Sequence, residues 1–456
     1  MTSRYVPAGE VAVIGLGRSG RAAALLLAQR GARVYASDGG SSGAIRDAAT
    51  ALEERGITAQ AGGHDLARIA RASLVVVSPG VPPGAPPLAA ADAAGVPVVS
   101  EVEIALDALG QRRVIAITGT NGKTTTTALT AHLLSALGHD AAAAGNIGTP
   151  LATFAQRPTP PSWFALEISS FQLHDTPGIA PAVGVLTNLT PDHLDRYARV
   201  EDYYADKALL FRNASAESTW VWNADSELVR SMVAGVPGTH HTFSLEQSGS
   251  AAAYERDRGR LMLFGEPLLD RADLSLIGDH NVANALAASL AVAAADPAHR
   301  TVEARARIAA GLKSFRALAH RLEVVGEFGG VEWINDSKAT NVDSARVAIA
   351  GMTRPTVLLL GGRHKGEPYT SLAAPIRDHV KAIIAYGEAG PTVERDLAGV
   401  VPIERLGSSF ETVMARARAL AVPGDAVLLS PACSSYDMFD NYEMRGAEFR
   451  RLAATR

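Results

Sequence analysis

Gly119-Thr120-Asn121-Gly122-Lys123-Thr124-Thr125 is the segment of the chain with the most evident chemistry. It follows the apolar run Val114–Ile117 and leads into Thr125–Leu137, which has helical periodicity. A strand, a glycine turn and a helix start aim several backbone N–H groups and the positive end of a helix at one point, and such an arrangement binds phosphate. Lys123 would then reach the terminal phosphates, and the Thr124 hydroxyl suits Mg²⁺. Ile117 stands where the generic Walker spacing has its first glycine. A nucleoside triphosphate site is expected here.

Gly15-Leu16-Gly17-Arg18-Ser19-Gly20 follows another apolar run, Val11–Ile14, and Asp38 ends the next strand-like stretch. The spacing matches the dinucleotide fingerprint, in which a pyrophosphate rests on the helix start and the acidic residue lies near a ribose or base. A nicotinamide cofactor satisfies it, and so does a nucleotide-sugar diphosphate or a turn that only packs helix on strand. Further along, Glu167 ends FALE, and Asn188-Leu-Thr-Pro-Asp-His193 follows AVGVLT. Groups at strand carboxyl ends of an open α/β sheet converge on one crevice, so Glu167 and His193 are expected near the phosphates of Lys123, as ligands for hard cations.

These residues need strands to carry them. Three blocks open with a short apolar run and a glycine-rich turn, the third being Val357–Leu360 before Gly361-Gly362-Arg363-His364-Lys365-Gly366. Further strands are predicted at 33–36, 74–77, 164–168, 183–187, 382–386 and 426–429, with helices at 21–30, 125–137, 282–295 and 302–312. Short apolar runs alternating with longer amphipathic ones indicate α/β domains with mostly parallel sheets. Boundaries are expected near Ser100–Gly110 and Phe315–His320, giving domains of 1–103, 104–316 and 317–456.

Composition narrows the function. The chain has 456 residues, 47% of them hydrophobic, with 43 Lys and Arg against 47 Asp and Glu. The resulting net charge of -4 excludes a global basic footprint for nucleic acid or anionic membrane. Cys433, the one cysteine, excludes an intramolecular disulfide framework and fits a reducing compartment. The N-terminal residues lack a secretory signal pattern, and the longest apolar stretches are too short to span a bilayer. A cytoplasmic multidomain protein without stable membrane insertion is expected. No histidine pairs with Cys433 in its motif, so a buried, inert thiol is expected there.

TGTNGKTTT, ALEISSFQL, TNLTPDHLDRY, ADKALLF, GDHNVANALAA, AHRLEVV, INDSKATN, LLGG-x-x-KG and SPACSSYDMFDNYEMRG, in that order, resemble the Mur ligases of peptidoglycan synthesis. The last two motifs are most similar to the member that adds D-glutamate to UDP-N-acetylmuramoyl-L-alanine. The resemblance implies a UDP-binding Rossmann-like domain, a central P-loop ATPase domain and a Rossmann-like domain that admits the amino acid. It implies an acyl-phosphate intermediate, ATP and two Mg²⁺ ions as needs of the reaction, and a monomer.

By the same resemblance, Lys123 and Thr124 hold ATP and the first Mg²⁺, whose shell Glu167 completes. His193 and Lys207 form the second metal site, with Lys207 as a carbamate. Asn281, Asn284, Arg321 and Asp336 match positions around the adenine and ribose-phosphate of ATP. Gly15, Arg18, Ser19 and Asp38 take the uracil and diphosphate, beside Ser78, and Asn146 contacts the muramoyl-alanine. His320, Lys338, Thr340, Lys365, Ser435 and Tyr442 fall where the family positions the incoming glutamate or the nucleotide. Two departures stand out: His364 occupies a position where aspartate is frequent, and Gly39 offers no hydroxyl to the uracil. The competing readings are a related ligase using L-glutamate or another amino acid, a nicotinamide-dependent dehydrogenase, and a nucleotide sensor without turnover. The dehydrogenase leaves TGTNGKTTT unexplained.

Overall fold

The computed structural model describes residues 5, 8–110, 112–193 and 196–455. Its strands form three α/β sheets. The first has five parallel strands, β1 (Glu10–Ile14), β2 (Arg33–Asp38), β3 (Thr58–Ala61), β4 (Leu74–Val77) and β5 (Val98–Ser100), in the order β3-β2-β1-β4-β5. The second contains β6 (Arg113–Thr118), β7 (Ala141–Gly145), β8 (Trp163–Glu167), β9 (Val183–Leu186), β10 (Thr219–Asn223), β11 (Thr239–Ser244), β12 (Ala252–Glu255), β13 (Arg260–Leu263) and β14 (Glu266–Asp270). Its nine strands run β14-β13-β12-β11-β10-β9-β6-β8-β7, and only the β12–β13 and β13–β14 pairings are antiparallel. The third holds β15 (Glu323–Phe328), β16 (Val331–Asn335), β17 (Thr356–Gly361), β18 (Val380–Tyr386), β19 (Ile403–Arg405) and β20 (Ala426–Leu429), ordered β15-β16-β20-β17-β18-β19 with an antiparallel first pair.

Chain contacts divide the molecule into two compact units. One runs to Arg271 and includes Asn284–Lys313; the other comprises Ala272–Ala283 and the residues from Ser314 onward. In the first unit a single apolar cluster joins Val11, Leu26, Val102, Ala152 and Phe164, so its two sheets share a core. Glu103 crosses the same region, accepting from Tyr5 Oη at 2.5 Å and from the Gly178 amide at 2.8 Å.

The central strands read as unbroken apolar runs because both of their faces are covered. LVVV of β4, TVLLLG of β17 and AVLL of β20 are buried along their whole length. Helix starts come two to three residues before the apolar periodicity begins: Arg18–Gln29, Lys123–Ala136 and Asp279–Ala295 replace the expected 21, 125 and 282. In each case polar or glycine residues of the preceding loop form the first turn, where an apolar pattern carries no signal. β3, β5, β7, β10–β14, β16 and β19 went unpredicted. AAAAG of β7 lacks β-branched residues, and THHTFS of β11 is polar at five of its six positions, so neither shows a buried run. Among the described residues no helix is long and apolar enough to cross a membrane.

Candidate functional site

Four neighbouring parallel strands, β9-β6-β8-β7, send their carboxyl-end loops to one place. The loop after β6 is the Gly119–Gly122 turn, clamped by the loop after β9. Thr120 N–H donates to the Asn188 carbonyl at 3.0 Å, Asn121 N–H to Asn188 Oδ1 at 2.8 Å, and Thr187 Oγ1 to the Asn121 carbonyl at 2.7 Å. Both glycines are needed. Gly119 has φ +142 and a Cβ there would lie 2.0 Å from Thr187 Oγ1, while Gly122 has φ +80 and its Cβ would lie 2.3 Å from Asn284 Oδ1. Asn284 also accepts from Thr126 Oγ1 at 3.2 Å, a bond to the first turn of the helix that follows the glycine turn. Gly122, at the cap position of the helix that starts at Lys123, has no side chain with which to cap it, and the positive amino end of such a helix suits a ligand of negative charge.

Two lysines serve this cradle. Lys123 Nζ donates to the carbonyls of Gly119 at 2.9 Å and Thr120 at 2.6 Å. Lys207, 1% exposed, donates to the Gly119 carbonyl at 2.7 Å and lies 4.6 Å from the Tyr203 ring centre. Burial, and after it the Lys123 ammonium, hold the Lys207 pKa well below the usual lysine value, with Asp192, Glu167 and Asp206 offsetting part of the shift. Glu167, 2% exposed at the end of β8, accepts from Asn146 Nδ2 at 3.0 Å through Oε1, and its Oε2 is buried with no hydrogen-bond partner. A buried carboxylate oxygen without a donor is costly unless a cation meets it. The Glu167 carboxylate and the Thr124 hydroxyl are oxygen donors of the kind hard cations take, although among the described residues no three His, Cys, Asp or Glu side chains come together as a metal site. His193 stands at φ +56 with its ring against Phe171 and Tyr203, at 5.3 and 5.9 Å. Leu194 and Asp195, from the same motif, lie outside the described residues.

A cavity of about 580 Å³ adjoins this cradle. Gly15, Arg18, Ser19, Asp38, Ser78 and Asn146 all line it. They come from the loops after β1, β2, β4 and β7, so the first sheet and the central one share the cavity. Asp38 turns out to be a loop anchor as well as a wall: its Oδ2 accepts from the Leu16 amide and its Oδ1 from the Gly40 amide, both at 2.7 Å. Asn146 faces both regions, lining the cavity while bonded to Glu167.

The second unit gathers the remaining residues at the ends of the adjacent strands β16, β20 and β17. Lys338 N–H donates to the His320 carbonyl at 3.1 Å, and Lys338 Nζ sits 3.8 Å from the centre of the Tyr442 ring. The His320 ring packs edge-on to Tyr442 at 6.1 Å, and burial lowers its pKa. Asp336 accepts from Ser430 Oγ at 2.9 Å and from the Leu322 amide at 3.2 Å; burial pushes its carboxyl up to about 7. Thr340 follows on the same loop as Lys338. Ser435 is buried, and exposed Lys365 is on a loop joined to Ser434 by the Arg363 amide at 2.9 Å. Asn281 also belongs to this unit, donating to the Ile277 carbonyl at 2.8 Å. The expected ATP residues are therefore divided, with Asn284 in the unit of Lys123 and Asn281, Arg321 and Asp336 in the other.

Sequence reasoning missed Tyr203, Arg445 and His64. Tyr203 Oη donates to Thr120 Oγ1 at 3.2 Å, and its spacing of one helical turn from Lys207 was the available signal. Arg445, 1% exposed, binds Ser337 Oγ at 3.0 Å and the carbonyls of Ser337 and Cys433 at 2.9 and 3.1 Å. It thus holds together the loops bearing Lys338 and Ser435. Cys433 is buried as expected, with its thiol pushed up to about 11 by burial.

Glycine turn, lysines and parallel sheet together define a P-loop-type α/β protein. Comparison with known proteins narrows that class: residues 9–100 match the N-terminal domain of MurD-like Mur ligases, 117–292 the Mur ligase middle domain, and 320–433 the Mur ligase glutamate ligase domain. The chain belongs to the Mur ligase family. It is 41% identical over 448 residues to the UDP-N-acetylmuramoylalanine--D-glutamate ligase of Acidobacterium capsulatum, covering 97% of this chain and 95% of that one. It is 42% identical over 449 residues to the enzyme of the same name from Chromobacterium violaceum, covering 96% of each. Its fold is that of the UDP-N-acetylmuramate-alanine ligase of Thermotoga maritima, with a TM-score of 0.62 at 19% identity over 98% of this chain and 100% of that one. The MurF ligase of the same organism, solved with ADP, gives a TM-score of 0.61 at 16% identity over 99% and 96%.

Proposed function

We propose that this protein is an ATP-dependent amide ligase that adds D-glutamate to UDP-N-acetylmuramoyl-L-alanine, releasing ADP and phosphate, in peptidoglycan precursor synthesis. The observation that carries the reading is Asn146, which lines the 580 Å³ cavity while bonded to Glu167 beside the phosphate cradle. A UDP-linked substrate in the cavity would present its alanyl carboxylate where ATP presents its γ-phosphate. Residues 1–103 are assigned to UDP, 104–316 to ATP and 317–456 to glutamate, in a cytoplasmic monomer.

A carboxylate is a poor electrophile and must be activated before an amine attacks it. In the proposed reaction a carboxylate oxygen attacks the γ-phosphorus, the bond to ADP breaks, and an acyl phosphate results. The glutamate amine then adds to the acyl carbon, loses a proton, and the tetrahedral intermediate expels phosphate. Two anions meet in the first step, so positive charge must be fixed beforehand. Lys123 and the amino end of its helix supply that charge. Thr124 and Glu167 would hold one Mg²⁺, and His193 and Lys207 another; when bound, these ions neutralise phosphate charge. The carbamate on Lys207 forms when its neutral amine attacks CO₂ and loses a proton. A free lysine is roughly 0.1% neutral near pH 7.4, and burial of Lys207 raises that fraction. In the last domain, Lys338 and Lys365, with Thr340 and Ser435, supply the cations and donors a dicarboxylate needs.

Phosphate release with ATP, Mg²⁺ and UDP-N-acetylmuramoyl-L-alanine, comparing D-glutamate, L-glutamate and no amino acid, tests the proposal. Release with D-glutamate alone, with a product of the expected mass, is the predicted result. Release with L-glutamate alone would keep the chemistry and change the substrate. No release with either would remove the reading.

A further inference from the structure

One wall of the 580 Å³ cavity is poor in groups able to read a ligand. At the end of β2 both carboxylate oxygens of Asp38 already accept backbone amides, and the next two residues, Gly39 and Gly40, have no side chains. Ile45, Val81, Pro82 and Ala85 are apolar. His64, in the loop that follows β3, is the exception. Its Nδ1 is engaged by the buried Ser37 hydroxyl at 2.9 Å, so Nε2 is the ring nitrogen left for a ligand. That nitrogen would lie 3.4 Å from a Cβ at position 39, so the missing side chain of Gly39 leaves room in front of it.

The position along the cavity indicates what would be read. β2 and β3 are the outer strands beyond β1, whose following turn starts the helix Arg18–Gln29. A diphosphate belongs at that helix start, and the strand-end acidic residue marks the nucleoside side. His64 pairs with the β2 end, since Ser37 and Asp38 are its polar neighbours. Burial lowers its pKa while the Asp38 carboxylate opposes the shift, so near neutral pH the ring offers one nitrogen of a neutral imidazole.

We propose that His64 Nε2 is a specificity contact to the nucleoside part of the UDP substrate, hydrogen-bonding its base or ribose. The inference rests on the UDP-substrate reading above. Its test uses the full chain, with UMP as the nucleoside probe and inorganic pyrophosphate as the probe of the phosphate end. His64→Ala is expected to weaken UMP binding about three- to tenfold, the range for one lost hydrogen bond, and to leave pyrophosphate binding unchanged. On the wild-type chain, UMP should shield His64 from carbethoxylation, read by peptide mass, and pyrophosphate should not. Unchanged UMP affinity in His64→Ala, equal weakening of both probes, or no shielding by UMP would overturn the contact. Failure of the wild type to bind UMP at all would instead overturn the substrate reading together with it.

Discussion

The phosphate cradle and the crevice of the six-stranded sheet are both built from loops at parallel strand ends, yet they are finished differently. In the crevice the buried cation is satisfied: Arg445 sends its donors to Ser337, Cys433 and Ser434. In the cradle the charges are left tense. Lys207 is buried with a depressed pKa beside another lysine, and Glu167 keeps an oxygen with no donor. The difference separates charge that holds a fold together from charge kept for a ligand. Arginine suits the first role because its fixed fork satisfies several carbonyls at once, and lysine the second because burial readily makes it neutral.

The sharpest way to break that comparison is at the two cations. Lys207→Ala should lower phosphate release by about 10²- to 10³-fold, and short-chain carboxylates should restore part of it by replacing the carbamate. Near-native activity, or failure of every carboxylate to rescue, would contradict the role. Stability should move the other way: Lys207→Met replaces a buried amine, whose pKa burial depresses, with an apolar chain, so without added Mg²⁺ or nucleotide its denaturation midpoint should equal or exceed the wild-type value. Arg445→Met leaves several buried carbonyls without donors and should cost about 3 kcal/mol, measured by denaturant unfolding. A stable Arg445→Met would show the two cations to be alike.

Glu101 sharpens the contrast from the carboxylate side. It is fully buried, accepts from the Ala152 amide at 2.5 Å, and burial pushes its carboxyl up to about 7. The folded chain therefore keeps this proton to a higher pH than the unfolded chain, whose value is near 4.5. Stability consequently falls as pH rises between those values and levels off above the folded one. Wild type should lose roughly 1–3 kcal/mol more than Glu101→Gln over that range. Equal slopes would show that Glu101 ionises as freely when folded. The smallest effect concerns Cys433. Iodoacetamide at pH 8 should leave it unmodified in the folded chain and label it rapidly in urea, because the thiol is buried and its pKa is about 11.

How much of this was legible differed by element. Central strands such as β4 and β20 announced themselves because burial on both faces demands an unbroken apolar run. The turn Gly119–Gly122 was equally legible, since two positive φ values and two close approaches leave only glycine there. The clamp by Thr187 and Asn188, and the bonds of Arg445 to Ser337, join residues 66 to 108 positions apart. No local spacing encodes such pairs. His64 was invisible for a related reason: a histidine after two glycines reads as turn chemistry until the cavity shows what it faces.

Labelling both oxygens of the alanyl carboxylate with ¹⁸O and following them into phosphate tests the central claim most directly. If the carboxylate is phosphorylated beside Asn146 and Glu167, each phosphate released during ligation carries one ¹⁸O atom from the substrate. Unlabelled phosphate with normal product formation would mean that the carboxylate never attacked ATP, and the account of the cradle would be wrong.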